Sequence, residues 1–247
     1  MRQGFLALFL VAGGFGIAHS TVNLHQQDEA KLPAMGIMRG NELIYVGDPM
    51  CSWCWGISEV IEQLRTEYRD VMGFRMVLGG LRPGETEPMD VRLAEFLARH
   101  WRKVEKTTGQ PFNHGLLASR TFVYDTEPPS RAVRVADALL PGSAFPFFQA
   151  VQEAFYVRNA DTNLLQTYLD LCPRFGFDLE AFEAMYNSSG MLAATQEDFR
   201  LSTSLGIRSF PTVLVRIENE CHMIAMGYST FEDLKQEIDY LLTAERI

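Results

Sequence analysis

Two cysteines three residues apart, placed directly after an apolar run, are the feature that most constrains this chain. Leu43–Val46 is rich in strand-forming residues and predicts a buried strand. Asp48–Pro49 follows it as a turn signal. Beyond the cysteines, apolar residues within Ile57–Leu64 repeat at helical spacing. Cys51 and Cys54 therefore lie where a strand passes into a helix.

This placement indicates thiol–disulfide exchange. The reaction needs a thiolate that attacks and a second thiol that resolves the mixed disulfide. A cysteine at a helix N-terminus is favoured as thiolate, because free N–H groups and the helix dipole stabilise negative charge. We therefore predict Cys51 as the nucleophile and the more enclosed Cys54 as the resolving thiol. Because Ser52–Trp53 between them carries no cation, we expect a moderately acidic Cys51 thiol rather than an extreme one.

A zinc site and a chance spacing are the alternative explanations of the cysteine pair. A structural zinc site usually needs two such pairs, or one pair with histidines, so we expect no metal. The other cysteines, Cys172 and Cys221, are far away in the sequence. Cys172 lies on an apolar helical face, as expected of a buried small hydrophobe. A disulfide between these two is conceivable in an oxidising compartment.

The remaining strand signals predict a mixed α/β sheet. Phe74–Leu78 is the second predicted strand, and a strand–helix–strand start needs a crossover, hence a parallel pair. Thr212–Ile217 and His222–Met226 flank a predicted hairpin turn at 218–220 and form an antiparallel pair.

Between these strands the apolar pattern is helical from about Asp90 to about Leu205. Asp178 is a predicted helix N-cap, and Ser229 with Glu232 has capping-box spacing for a last helix. The helical block is large enough to pack as its own subdomain. We assign residues 41–84 and 191–247 to the sheet domain and 85–190 to the insertion.

Residues 1–40 are assigned to a signal peptide or a disordered extension. Arg2 precedes a short apolar stretch, and Ala18–Ser20 offers a small-x-small cleavage site. The stretch is too short for a comfortable membrane span. The alternative is a gene start placed too far upstream, with Met35 and Met38 as internal starts. A true signal peptide would place the protein in the periplasm, and otherwise it is cytoplasmic.

The loop before the third predicted strand supplies candidate substrate contacts. Pro211 would open that strand without having to donate to the ladder. If the Phe210–Pro211 bond is cis, the backbone of Phe210 turns toward the cysteines and can pair with an extended substrate. Trp53 is a candidate exposed contact surface and Met50 a candidate rim residue. Asp48 either tunes Cys51 or caps the turn.

Charge narrows the class of partner. The formal net charge is −9 and the basic residues are not clustered, which argues against nucleic acid. Arg208 is a candidate for attracting an anionic group, such as a glutathione carboxylate.

The chain resembles the DsbA-like branch of the thioredoxin superfamily, and within it the bacterial predicted protein-disulfide isomerases related to FrnE-type proteins. The matching segments are Tyr45–Gly56, Leu78–Gly84, Tyr124–Pro128, Ala154–Tyr156 and Gly206–Thr212. The resemblance implies a thioredoxin fold with an inserted all-helical subdomain, Cys51 as nucleophile, Cys54 as resolving thiol and Pro211 as a facing cis-proline. DsbA itself carries a histidine between its cysteines, so its strong oxidising power does not carry over.

The function that we predict is disulfide exchange or isomerisation on protein substrates, with no bound cofactor. Glutathione or a thioredoxin-like protein would be the redox partner. The alternative is a glutathione-dependent transferase or isomerase, because kappa-class transferases and 2-hydroxychromene-2-carboxylate isomerases resemble the chain in architecture. Those enzymes use a serine where Cys51 stands. A third hypothesis is a non-catalytic binding module.

Overall fold

The structure is a computed structural model that describes residues 40–218 and 220–244. The predicted signal peptide or extension, the middle residue of the predicted hairpin turn and the last three residues lie outside the described residues.

A four-stranded mixed sheet forms the centre of the described chain. Its strands are β1 (Glu42–Gly47), β2 (Gly73–Leu78), β3 (Thr212–Ile217) and β4 (Glu220–Met226). The spatial order is β2-β1-β3-β4, with β1 and β2 parallel and the other two pairings antiparallel. All six residues of β1 are buried, as its apolar sequence predicts. The predicted parallel pairing of β1 with β2 and antiparallel pairing of β3 with β4 are confirmed.

The connection from β1 to β2 holds two consecutive helices. α1 spans Ser52–Gly56 and α2 spans Ser58–Tyr68, with Ile57 between them. The helical hydrogen-bond pattern continues across Ile57. Its N–H donates to the Trp53 carbonyl, and its carbonyl accepts from the Ile61 N–H. The cysteine pair therefore stands at the start of an almost continuous helical crossover.

The segment between β2 and β3 is helical, as predicted. Its helices are α3 (Val91–Thr108), a 3₁₀-helix (Gly115–Ala118), α4 (Glu127–Leu139), α5 (Ala144–Tyr156), α6 (Leu165–Leu169), α7 (Cys172–Phe175), α8 (Leu179–Tyr186) and α9 (Ser189–Ser204). The predicted cap is confirmed, because the Asp178 carboxylate accepts from the Ala181 N–H at 2.8 Å. Among the described residues, no helix is long and apolar enough to cross a membrane.

The last helix, α10, spans Phe231–Ala244 and begins one residue later than predicted from Ser229 as its N-cap. The cap is Thr230, whose hydroxyl accepts from the Asp233 N–H at 3.2 Å and donates to the Asp233 carboxylate at 2.8 Å. The predicted capping pair of Ser229 and Glu232 is therefore wrong. Both pairs have the same spacing, so the sequence alone does not choose between them.

Two buried clusters hold the fold together. The larger surrounds the sheet and takes in residues of α4 and α5; for example, the Tyr45 ring packs edge-on against Phe145 at 5.6 Å and Phe148 at 6.0 Å. These helices lie within the predicted insertion, 85–190, but share their core with the sheet. The proposed domain boundaries stay a prediction.

The smaller cluster is aromatic and holds α3 against the rest of the molecule. The Trp101 ring is fully buried and lies 5.1 Å from Tyr156 and 5.7 Å from Phe155. Tyr124 and Met50 belong to the same cluster. Because Met50 directly precedes the cysteine pair, this cluster fixes α3 beside α1.

Candidate active site at the cysteine pair

Backbone geometry places Cys51 at the N-terminus of α1. Its φ of −82° and ψ of 116° are extended, and its carbonyl accepts the first helical bond from the Trp55 N–H at 3.1 Å. Its own N–H donates to the Asp48 carbonyl at 3.0 Å, which closes the turn after β1. Cys51 is 7% exposed and Cys54 is fully buried. Cys51 is therefore the cysteine that a substrate can reach.

The loop before β3 meets the Cys51 sulfur. The Phe210–Pro211 peptide bond is cis, as expected from the resemblance. The Cys51 Sγ lies 3.4 Å from the Phe210 carbonyl oxygen, to which it donates. The Phe210 ring sits over Gly79, where an added Cβ would come within 2.3 Å of the ring. The structure thus brings Phe210 and Pro211 to the cysteine pair, as predicted.

Cys54 faces the interior, where burial raises the pKa of its thiol well above the ordinary value. The thiol lies close enough to the Tyr45 hydroxyl for each group to shift the pKa of the other. Tyr45 is itself fully buried. Cys54 is therefore held in its protonated form at neutral pH until something removes its proton.

Asp48 is a buried carboxyl group beneath the cysteine pair. Its Oδ1 accepts from the Met50 N–H at 2.9 Å, and its Oδ2 accepts from the Leu81 N–H at 2.7 Å. Burial raises the pKa of Asp48 to about 6, against the lowering effect of these two hydrogen bonds. Of the two roles considered for Asp48, these contacts show the structural one. The carboxyl group caps the turn after β1 and ties that turn to the segment after β2.

Met50 corrects a prediction, because its side chain does not line the rim. It is fully buried, and its sulfur accepts from the Thr162 hydroxyl at 3.4 Å. Its backbone N–H is bonded to Asp48 and its carbonyl to the Tyr124 hydroxyl. With both backbone groups held, the side chain turns into the aromatic cluster.

Trp53 lies on the outer side of the cysteine pair and is half-buried. Its indole N–H donates to His100 Nε2 on α3 at 3.1 Å. The indole ring also lies 5.8 Å from the Tyr228 ring and 5.9 Å from the Lys103 ammonium group. Burial, with a smaller contribution from Lys103, lowers the pKa of His100. His100 and Tyr228 were missed by sequence reasoning, because neither belongs to a motif and only the fold brings them to Trp53.

The other two cysteines lie elsewhere and are free thiols. Cys172 is fully buried on α7 and donates to the Tyr168 carbonyl at 3.3 Å. Cys221 is half-buried on β4. Burial raises the pKa of both thiols to about 11. Within the described part of the chain, no group of three or more His, Cys, Asp and Glu side chains is arranged to hold a metal ion.

Comparison with protein families agrees with this geometry. A family model described as thioredoxin matches residues 44–236. That range contains the cysteine pair, the helical block and the cis-proline loop.

Solved structures give closer relatives. A candidate protein disulfide isomerase from Nitrosomonas europaea is 34% identical, with a TM-score of 0.77, and the match covers 83% of this chain and 98% of that one. The cytosolic disulfide reductase DsbM from Pseudomonas aeruginosa is 27% identical, with a TM-score of 0.68 and coverage of 81% and 98%. A second DsbM structure, with glutathione, is 29% identical, with a TM-score of 0.65 and coverage of 83% and 100%.

Among curated proteins, the ClpXP adapter protein SpxH of Bacillus subtilis is 22% identical over 174 residues. The match covers 70% of this chain but only 57% of SpxH, so the chain spans little more than half of that relative.

Proposed function

Because the chain belongs to the thioredoxin family, as a DsbA-like member of that superfamily, we propose that it is a thiol–disulfide oxidoreductase that acts on cysteines of protein substrates. The observation that carries the proposal is the asymmetry of the pair. Cys51 lies at the helix start with 7% of its surface exposed, 3.4 Å from the Phe210 carbonyl, whereas Cys54 is fully buried. An attacking thiol and a protected resolving thiol are what dithiol exchange requires.

In the first step the Cys51 thiolate attacks one sulfur of a substrate disulfide. A bond forms between Cys51 Sγ and that sulfur, the substrate S–S bond breaks, and the second substrate sulfur leaves as a thiolate that takes up a proton. The cis-Pro211 loop holds the substrate chain in extended form at this stage. The product is a mixed disulfide on Cys51.

In the second step Cys54 loses its proton and attacks the Cys51 sulfur. The Cys51–Cys54 disulfide forms and the remaining substrate sulfur leaves as a thiol. The substrate has gained two electrons and two protons, and the enzyme dithiol has lost them. The reverse sequence oxidises a substrate dithiol.

The burial of Cys54 supports isomerisation as well as reduction. Only a thiolate attacks a disulfide, and the raised pKa of Cys54 keeps its thiolate scarce at neutral pH. We therefore expect Cys54 to resolve the mixed disulfide on Cys51 slowly. During that time another thiol of the same substrate can attack it and form a different pairing.

Glutathione is the proposed small-thiol partner, with no bound cofactor. Two glutathione molecules would reduce the Cys51–Cys54 disulfide in two exchanges and leave as glutathione disulfide. The DsbM structure with glutathione supports this choice. DsbM is cytosolic, which favours the reducing direction in the cytoplasm; a periplasmic location remains the consequence of a true signal peptide.

The test compares single serine variants in the reduction of insulin and the refolding of a scrambled protein. We expect Cys51→Ser to abolish both activities and to trap no mixed disulfide. Cys54→Ser should accumulate a mixed disulfide with substrate on Cys51. Cys172→Ala is the matched control, because that thiol lies outside the site, and it should leave turnover unchanged.

Two outcomes would contradict the proposal. Turnover that survives loss of Cys51 would place the exchange at another site. Saturable glutathione binding with conjugation or isomerisation of a small molecule that survives loss of Cys54 would instead favour the glutathione-dependent transferase or isomerase.

A further inference from the structure

Helix α3, which lies beside the cysteine pair, carries basic side chains that form no ion pairs with the described residues. Elsewhere in the described chain cations commonly pair with acids, as Arg131 does with Glu127 at 2.9 Å and Lys235 with Glu67 at 2.7 Å. Five cations of α3 form no ion pair with any residue in 40–218 or 220–244: Arg92, Arg99, Arg102, Lys103 and Lys106. The expectation that basic residues are not clustered is therefore wrong on this helix.

Three of these cations lie together with two rings on one side of α3. At 100° per residue, Arg92, Phe96, Arg99, His100 and Lys103 fall within an arc of about 100°. We call this set the α3 strip. Both acids of α3 fall outside the arc, and its buried stripe faces the aromatic cluster. The strip is therefore positively charged.

The α3 strip begins at the cysteine pair. His100 Nε2 accepts from the Trp53 indole at 3.1 Å, and the Lys103 ammonium lies 5.9 Å from the same ring. From Lys103 to Arg92 the helix advances about 16 Å, the length of about five residues of extended chain. Phe96, 42% exposed, and the stacked His100 supply apolar surface along that path.

We infer that the α3 strip binds an acidic, extended segment of a protein substrate, next to the cysteine that Cys51 attacks. This inference rests on the proposed function and names its substrate class. The chain as a whole carries a net charge of −9 and would repel an acidic partner, so the attraction is local to this strip. Aspartates or glutamates within about five residues of the substrate cysteine would meet Arg92, Arg99 and Lys103.

The test uses three peptides that share one internal disulfide and differ only in four flanking residues, which are aspartate, serine or lysine. The full chain with a reduced cysteine pair is mixed with each peptide. The second-order rate constant for oxidation of the Cys51–Cys54 pair is then measured. No other reductant is needed, because the Cys51–Cys54 dithiol supplies both electrons. We expect the acidic peptide to react about tenfold faster than the neutral one at low salt. The lysine peptide should be slowest, and the differences should shrink at 1 M salt, where the Debye length is about 3 Å.

Charge-neutral variants locate the effect. We expect Arg99→Gln and Lys103→Gln each to lower the acidic-to-neutral rate ratio by about threefold, the scale of one exposed ion pair. Arg102→Gln is the matched control, because it removes the same charge from α3 outside the strip, about 60° around the helix from Arg99 and about 100° from Lys103. The ratio cancels general damage to the enzyme and differences in peptide reactivity.

The outcomes separate the inference from the proposed function. An unchanged ratio in both strip variants, or an equal fall in Arg102→Gln, would overturn the inference, since net charge rather than the strip would then govern the rate. Glutathione disulfide can be measured as a fourth substrate. If the strip variants slowed only its reaction and left the acidic-to-neutral peptide ratio unchanged, the inference would also be overturned. Failure of all three peptides to oxidise the reduced pair would instead refute the proposed function.

Discussion

The two sides of the cysteine pair are built differently. On the inner side, Asp48 and Tyr45 are fully buried, and the Asp48 carboxyl group is bonded to backbone N–H groups. On the outer side, Trp53 and His100 are half-buried and held by one side-chain hydrogen bond. The inner side is therefore a buried, hydrogen-bonded surrounding for the pair, whereas the outer side is partly exposed.

The two sides also differ in what holds them in place. The inner side is made by β1, the turn after it and α1, which are consecutive in the sequence. The outer side needs α3, which reaches the pair only because its other face is buried in the aromatic cluster. Changes that loosen α3 should thus affect the outer side first.

The largest expected effect comes from Trp101→Ala, which removes the residue that anchors α3. Trp101 is fully buried and its ring lies 5.1 Å from Tyr156 and 5.4 Å from Phe112. We expect the free energy of unfolding to fall by about 4 kcal/mol. Urea unfolding measures the loss, and hydrogen exchange should show α3 amides opening more than those of β1.

Phe96→Ala on the other side of α3 is the matched control. Phe96 is 42% exposed, so its loss should cost less than about 1 kcal/mol. An equal rise in the hydrogen exchange of α3 and β1 amides in Trp101→Ala would show that the two sides of the cysteine pair open as one unit.

The next largest effect concerns the inner side, where we expect the free energy of unfolding to change with pH by about 3 kcal/mol. Burial raises the pKa of Asp48 to about 6, whereas an unfolded aspartate titrates near 3.9. Between these values the folded state binds more protons, so the free energy of unfolding falls as pH rises from about 4 to 6. Two pKa units correspond to about 3 kcal/mol. Urea unfolding at pH 4, 5, 6 and 7 follows this slope.

Asp48→Asn cannot titrate and should flatten that slope, whatever it does to stability at a single pH. Asp198 supplies a matched variant remote from the cysteines, since burial also raises its pKa to about 6. Asp198→Asn should flatten the slope without changing the rate of thiol–disulfide exchange. Asp48→Asn should change both the slope and that rate. An unaltered slope in Asp48→Asn would show that the carboxyl group is not the buried titrating group.

The inner side was largely predictable from the sequence and the outer side was not. The strand before the cysteines, the helix after them and the cis bond before Pro211 are all present as expected. The strand and the helix follow from local periodicity. The cis bond was expected from the family resemblance, because an X–Pro bond is usually trans. The path of α3 depends on long-range packing, which periodicity does not encode.

Two errors illustrate the limit. Met50 is a predicted rim residue, but hydrogen bonds to its backbone turn its side chain inward. The cations of α3 are spread over fifteen residues of sequence and form a strip only when helical geometry brings three of them to one side. In both cases sequence neighbours and spatial neighbours differ, and only the fold shows which contacts form.

The smallest expected effect is on the outer side, where pH should act with the opposite sign. Burial and Lys103 lower the pKa of His100 below its ordinary 6.5. His100 must be neutral to accept the Trp53 indole N–H, because a protonated imidazole has no free acceptor. As pH falls below 6.5 the unfolded state binds more protons, so this contribution to stability, about 1 kcal/mol, is lost on acidification.

The indole N–H resonance of Trp53, assigned with Trp53→Phe, measures this directly. We expect it to shift with a midpoint below pH 6.5 as the hydrogen bond breaks. His100→Gln should abolish the titration while keeping the contact, because a glutamine carbonyl accepts from the indole and carries no titrating group. A midpoint above 6.5 would instead require an acid facing His100, whereas Lys103 is the charged group that shifts its pKa here. Because this bond joins α3 to the cysteine motif, its loss at low pH should free Trp53.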